Sequence, residues 1–443
     1  MSNNFLPVFQ YQLESRRLTP LERFCKKIRK ILNLNNMSGT FFFIQPILAP
    51  GYGWAALNWQ SMSLAETDYA EFLQCFSQSA VTPLTKILPL VAPISPEYLQ
   101  YPEFPDAFEK DRILFVLPSC SLENPNIVRQ CQELRSQGAR LAIEIDCPQT
   151  LYKVLPSVFD TIRFNASMAR RNFSEQDMVY ANNVGFKTIA THVDSHELFE
   201  WLVSEHVVWS DGYFLTIPKP KLHMDSRPVL NQLLKLLNLV KHDGDTHDIE
   251  AVFREDVMLS YNLLRLVNSV AMEIRTKINS LSQAIIILGR RQLQRWSQLL
   301  IYSCLGDGNA PNPLMQLAAA RGRQMELLSA AIDPIPDIPE LADNAFIIGL
   351  FSLLNALVNL PMNDILKEIT LQDEIVDALT DSDKKSVLGR LLSAIIAGEE
   401  GDFDKATQIL SDFKISPVIH AKSQVTAYHW ASRINTGRGD EFF

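Results

Sequence analysis

The chain has 443 residues, of which 47% are hydrophobic and 21% charged, so it is long enough for two domains and is neither mostly disordered nor fibrous. Lys and Arg number 41 against 50 Asp and Glu, a net charge of −9 that argues against a broad nucleic-acid surface. The six cysteines form no C-x-x-C pair, no apolar run approaches the roughly 20 residues that span a bilayer, and the first residues lack the basic-then-apolar order of a secretory signal. The expectation is a cytoplasmic protein with reduced thiols and no integral membrane segment.

Residues 1–38 form a basic leader, in which Arg16, Arg17, Arg23, Lys26, Lys27, Arg29 and Lys30 outnumber Glu14 and Glu22. Leu21, Phe24, Cys25, Ile28, Ile31 and Leu32 recur at helical spacing among them, which predicts an amphipathic helix. It reads as a helix packed on the next domain with a charged outer face; a membrane-surface or partner-docking helix is the alternative.

Residues 39–219 alternate β-like and helical patterns. Strands are predicted at 40–48, 113–117, 140–145, 161–164, 187–190 and 213–215, with helices at 124–137 and 196–203 among those between them. Such alternation implies a parallel sheet covered by helices, as an open α/β fold or a β/α barrel. The segments Phe43-Ile44-Gln45-Pro46-Ile47, Arg140-Leu141-Ala142-Ile143-Glu144, Lys187-Thr188-Ile189-Ala190 to Phe199, and Gly212-Tyr213-Phe214-Leu215 occur in the order of the EAL domain, which this region resembles. The resemblance implies a reduced TIM-like β/α barrel of the kind that hydrolyses cyclic di-GMP.

That reaction needs two divalent cations held by carboxylates at the strand ends. The matching positions have mostly lost them. The Glu-Ala-Leu signature resembles Ala55-Ala56-Leu57, so its glutamate is Ala55. The paired aspartates become Glu144 and Ile145, and Lys-x-Asp becomes Arg163-Phe164-Asn165. The late glutamate motif runs through Thr191 and Asp194, and Gln-Gly-Tyr becomes Asp211-Gly212-Tyr213. No metal or other cofactor is expected. His192 and His196 lie four apart, a spacing a metal could use, but Asp194-Ser195 reads as a helix N-cap and the histidines as cap and surface residues.

After Pro218-Lys219-Pro220 the pattern turns helical, and 220–415 reads as an all-α domain followed by a tail at 416–443. Helices are predicted at 228–239, 249–268, 280–288, 291–305, 314–331, 343–358, 362–366 and 383–399. Asp256, the run Leu263-Leu264-Arg265-Leu266-Val267-Asn268-Ser269, then Ser280-Leu281, Ala284-Ile285 and Leu288-Gly289 resemble the HDOD domain, a helical relative of the HD metal-dependent phosphohydrolases. The resemblance makes Asp256, Asn268, Ser269 and Gly289 signature residues, read as structural braces and helix ends, with partner contact as the alternative.

In the HD enzymes a helix carries His-Asp as metal ligands; the corresponding places here are Ser352 and Leu353. His242-Asp243 and His247-Asp248 lie elsewhere, in a polar loop, and read as solvent-facing, with a weak site from His242, Asp245 and His247 as the alternative. Arg290, Arg291, Arg295 and Trp296 read as a solvated helix face, or as a contact for an acidic partner or a phosphate.

The order of the two domains resembles a bacterial signalling family with an EAL-like barrel followed by an HDOD domain. The resemblance implies a non-enzymatic regulator acting through protein partners. Cyclic di-GMP binding without hydrolysis and residual phosphodiesterase activity are the competing readings, and a homodimer is left open.

Overall fold

The computed structural model describes residues 40–61, 81–101, 112–218, 313–367, 371–380 and 385–434, with single positions between them. The basic leader, the helices expected between 228 and 288, the His242–Asp248 loop, and the signature residues Asp256, Asn268, Ser269 and Gly289 lie outside the described residues, as do Arg290, Arg291 and Trp296.

The N-terminal half is a closed eight-stranded barrel. Its strands are β1 (Phe42–Leu48), β2 (Trp54–Ser61), β3 (Leu90–Pro93), β4 (Ile113–Leu117), β5 (Arg140–Ile145), β6 (Thr161–Asn165), β7 (Lys187–Thr191) and β8 (Trp209–Asp211). From β2 to β8 each strand runs parallel to the next. β1 runs antiparallel to both its neighbours, because it leads directly into β2 as a hairpin. The expected sheet is therefore mixed.

The six strand candidates undercount the barrel, which adds β2 and β3. β3 is only four residues long, and β2 mixes Asn58 and Gln60 into its apolar run, so neither carries a clean pattern. The segment predicted as a strand at 213–215 is a 3₁₀ turn, Tyr213–Thr216; the strand lies just before it and spans three residues. All five residues of β4 are buried, as suits a central strand covered on both faces.

Helices α1 (Thr82–Thr85), α2 (Pro125–Ser136), α3 (Pro148–Leu151), α4 (Ala166–Asn172), α5 (Glu175–Val184) and α6 (His196–Ser204) lie between strands. Ser195 caps α6 as expected, its Oγ accepting the Leu198 N–H at 3.3 Å. Inside the barrel, Ile47, Ala56, Val91, Leu114, Val116, Ala142 and Ile189 form an apolar plug, and the space at the C-terminal ends of the strands stays open above it.

Among the described residues the C-terminal half is all-helical. It holds α7 (Pro313–Ser329), α8 (Leu341–Phe351), α9 (Leu354–Val358), α10 (Met362–Leu366), α11 (Asp373–Thr380), α12 (Val387–Glu400), α13 (Phe403–Asp412) and α14 (Pro417–Ser432). The helix expected at 343–358 is two, broken at Ser352 and Leu353. The stretch Leu341–Val358 is long and apolar enough to cross a membrane by length and composition, yet 61% of it is buried inside the molecule. α7 and α8 cross closely: a Cβ on Gly349 would lie 2.7 Å from the Arg321 carbonyl oxygen, so only glycine fits there.

The segment expected to be a tail carries α14, whose residues His420, Ala421, Val425, Ala427, Tyr428 and Ala431 are buried. They are buried because α14 packs on α7 and, together with α12, on β1. β8 pairs with β1 only at Ile47 and Leu48, so the Phe42–Gln45 end of β1 has no strand on that side. The helical half covers it. The Ile44 N–H donates to Gln424 Oε1 at 3.0 Å, satisfying a strand-edge group that would otherwise be buried unpaired. Phe43 stacks on Phe403 at 4.6 Å and meets the edge of His420 at 5.1 Å. Trp54 stacks on Tyr428 at 5.4 Å.

Candidate functional site: the barrel mouth

The C-terminal ends of the strands open into a cavity of about 620 Å³ that both halves of the chain line. The barrel contributes Gln45, Asn58, Gln60, Arg163, Asn165, Thr191, Asp194, Asp211 and Tyr213; the helical half contributes Leu317, Glu399, Glu400, Gly401 and Phe403. Strand alternation explains the polar set. Gln45 pairs with Asn58 across β1 and β2, on the face that carries Ile47 and Ala56 into the plug one step deeper.

Of the residues singled out in the sequence, Arg163, Asn165, Thr191, Asp194 and Asp211 come together around this cavity. Arg163 is 6% exposed. Its Nε stands 3.5 Å from Glu144 Oε1, and neither Nε nor Nη1 makes a hydrogen bond among the described atoms. Asn165 turns its Oδ1 to the Met168 N–H at 2.9 Å, capping α4. The Thr191 hydroxyl donates to the Phe164 carbonyl at 3.2 Å. Asp194 is exposed at the rim.

Asp211 receives the N–H groups of Val193, at 3.0 Å, and of His192, which holds a left-handed backbone at φ 56°. Burial pushes its carboxyl up to about 6, against the opposing pull of those two N–H groups and of Arg163. The aspartate thus staples the turn between β7 and α6.

Ala55 and Ile145 stand apart from the cavity. Ala55 sits at an irregularity in the β1–β2 pairing, where Ile47 faces Ala56 and Leu48 faces Trp54. Ile145 is buried among the barrel's outer apolar residues, as strand alternation from the inward Glu144 and Ala142 requires. His196 Nε2 lies 2.8 Å from the Ile217 carbonyl, and His192 Nδ1 lies 3.1 Å from Thr191 Oγ1, so the two histidines serve different local contacts.

Two divalent cations need several converging carboxylate oxygens. Here the wall offers amides, a threonine, a guanidinium and four carboxylates, of which Asp211 already holds two backbone N–H groups, Glu399 holds Arg321, Glu400 accepts from Tyr213 and Asp194 is exposed at the rim. Among the described residues no three His, Cys, Asp or Glu side chains converge to hold a metal ion. The donor set does not fit the metal pair that the barrel resemblance implies.

Several participants carry only a faint sequence signal. Gln45 interrupts an apolar strand, and Asn58 and Gln60 fall two apart in β2, which is the period of one strand face. Gln45 Oε1 accepts from Asn58 Nδ2 at 3.3 Å, while its Nε2 donates to the carbonyls of Gly398 at 3.2 Å and Glu399 at 2.9 Å. Tyr213 donates its hydroxyl to Glu400 Oε1 at 2.5 Å; burial and this bond push the phenol up to about 12.

In the helical half, Ser352 Oγ accepts from Arg321 Nη1 at 2.7 Å. Arg321 is 3% exposed and grips Glu399 through Nε, at 3.1 Å, and Nη2. Leu353 beside it is buried. Arg295 corrects the expectation of a solvated basic face. Its guanidinium pairs with Glu326 and, at 3.3 Å, with Asp343, and it lies 5.0 Å over the Phe346 ring.

Residues 227–378 match the HDOD domain family, so the C-terminal region contains an HDOD domain. The chain is 24% identical over 291 residues to the uncharacterized protein YuxH of Bacillus subtilis, covering 64% of this chain and 70% of that one. It is also 24% identical over 250 residues to the cyclic di-GMP phosphodiesterase CdgJ of Vibrio cholerae, covering 56% of each.

Among solved structures it is similar to the EAL enzyme Bd1971 in its cAMP-bound form, at TM-score 0.33 and 12% identity, over 43% of this chain and 66% of that one. It is similar also to the calcium and cyclic di-GMP complex of Klebsiella pneumoniae BlrP1, at TM-score 0.33 and 16% identity, over 40% and 55%.

Proposed function

We propose that the protein is a non-catalytic signal-transduction or scaffold protein, acting through protein–protein contacts in a cyclic di-GMP-linked pathway. The barrel mouth carries this reading. Where hydrolysis of a phosphodiester by two metals needs converging carboxylates, the wall presents Gln45, Asn58, Gln60, Asn165 and Thr191 around Arg163, while Glu399 holds Arg321, Glu400 accepts from Tyr213 and Asp194 is exposed at the rim. Asp211 spends its oxygens on the backbone of His192 and Val193. The second half supports the same reading, because Ser352 and Leu353 cannot supply the His-Asp pair that a metal-dependent phosphohydrolase requires. The HDOD match and the relation to the Vibrio cholerae phosphodiesterase support the pathway.

A second reading is a sensor that binds cyclic di-GMP without cleaving it. The buried Arg163 guanidinium beside a cavity of about 620 Å³ favours it. Calorimetric titration with cyclic di-GMP, with and without Mg²⁺ or Mn²⁺, separates the two. The scaffold reading expects no binding in either condition. Tight, metal-independent binding replaces it with the sensor, and metal-dependent binding counts against both.

A further inference from the structure

The segment at the end of α12 is built into both halves of the molecule at once. On the helical side, both carboxylate oxygens of Glu399 take the Arg321 guanidinium, and the same guanidinium reaches Ser352 Oγ at 2.7 Å. On the barrel side, the Glu399 carbonyl accepts from Gln45 at 2.9 Å, and the neighbouring Glu400 accepts from Tyr213 at 2.5 Å. Glu399 and Glu400 are also walls of the cavity.

The arginine–carboxylate fork is bidentate and nearly fully buried, with 3% and 9% side-chain exposure, so its geometry is fixed and neither partner can turn away into water. Displacing the cavity roof therefore drags the Glu399 carboxylate against Arg321, and Arg321 against the break between α8 and α9 at Ser352. A filling of the cavity that pushes on Glu400 cannot be absorbed at the rim alone.

We propose that Glu399, Arg321 and Ser352 form a mechanical link that passes the state of the barrel cavity to the core of the helical half. The link deepens the non-catalytic reading above, on which it rests, by giving the cavity a regulatory use. It converts the helical place that would hold an HD metal pair into the receiving end of an interdomain contact.

Two single-hydroxyl deletions test it, Tyr213→Phe on the barrel side and Ser352→Ala on the helical side. The two residues belong to different halves and share no direct partner, so independent sites give additive effects. The link predicts that the loss of unfolding midpoint in the double variant departs from the sum of the two singles. It also predicts that hydrogen exchange across residues 341–358 quickens several-fold in Tyr213→Phe, and across 396–403 in Ser352→Ala. Additive midpoints, or exchange changes confined to the half that carries the substitution, overturn the link. Neither readout involves turnover, so detection of hydrolysis would remove the non-catalytic reading without moving either result.

Discussion

Arg321 and Asp211 show how single side chains decide the chemistry of the two halves. Arg321 sits 3% exposed with its charge met by Glu399. Replacing it with methionine keeps the apolar stem but strands a buried carboxylate, and breaking such a pair costs about 3–5 kcal/mol. Urea unfolding of Arg321→Met should show a loss of that size, whereas an exposed pair such as Arg390–Asp412 should contribute about 1 kcal/mol or less.

Asp211 carries a pH signature. Its carboxyl is raised to about 6 in the folded chain from an ordinary 3.8. Between those values the folded state holds a proton that the unfolded state releases, so this group adds stability at low pH and loses it as pH rises through about 6. Asp211→Asn keeps an acceptor for the turn and cannot titrate. Its stability curve should be flatter than the parent's between pH 4 and 6. An unchanged slope would place the titration elsewhere.

At the scale of elements, the join between α12 and β1 depends on the absence of a side chain. A Cβ on Gly398 would meet Phe43 Cδ1 at 2.7 Å, and Phe43 cannot retreat because Phe403 stacks on its face at 4.6 Å. Gly398→Ala should cost about 1–3 kcal/mol by overpacking, read as a lower denaturation midpoint.

What the sequence made legible follows the length and regularity of each element. β4 and β5 coincide to the residue with the strands predicted at 113–117 and 140–145, since mostly buried, apolar-rich runs flanked by polar turns leave little choice. β3 with four residues and β8 with three are too short to show a period, and Gly212 and Tyr213 drew the last strand past its true position. In the site, Arg163, Asn165, Thr191, Asp194 and Asp211 were legible through the family motifs. Gln45 is legible only as one residue of an apolar strand motif, and Glu399 and Arg321 are invisible as a pair, because residues 321 and 399 meet only through tertiary packing of separate helices.

For the whole molecule, the helical half completes the barrel. It supplies Gln424 to the open edge of β1, Phe403 and His420 to Phe43, and the Glu399 carbonyl to Gln45. Unfolding either partner of an interface that satisfies backbone groups and buries aromatic rings exposes those groups on the other, which couples the two unfolding events. Scanning calorimetry of the full chain should therefore show the barrel and α12–α14 melting in one transition. Two well-separated transitions would mean that the barrel stands without them.

The same joined architecture surrounds a mouth lined by amides, hydroxyls and a guanidinium, in which Asp211, Glu399 and Glu400 are held by backbone N–H groups, Arg321 and Tyr213. Our central proposal is that this site does not perform metal-dependent phosphodiester hydrolysis. Incubating the full chain with cyclic di-GMP and Mg²⁺ or Mn²⁺, and following the linear dinucleotide by chromatography, tests it most directly. The account predicts no product above the rate without protein. Metal-dependent product formation that scales with protein concentration would contradict it.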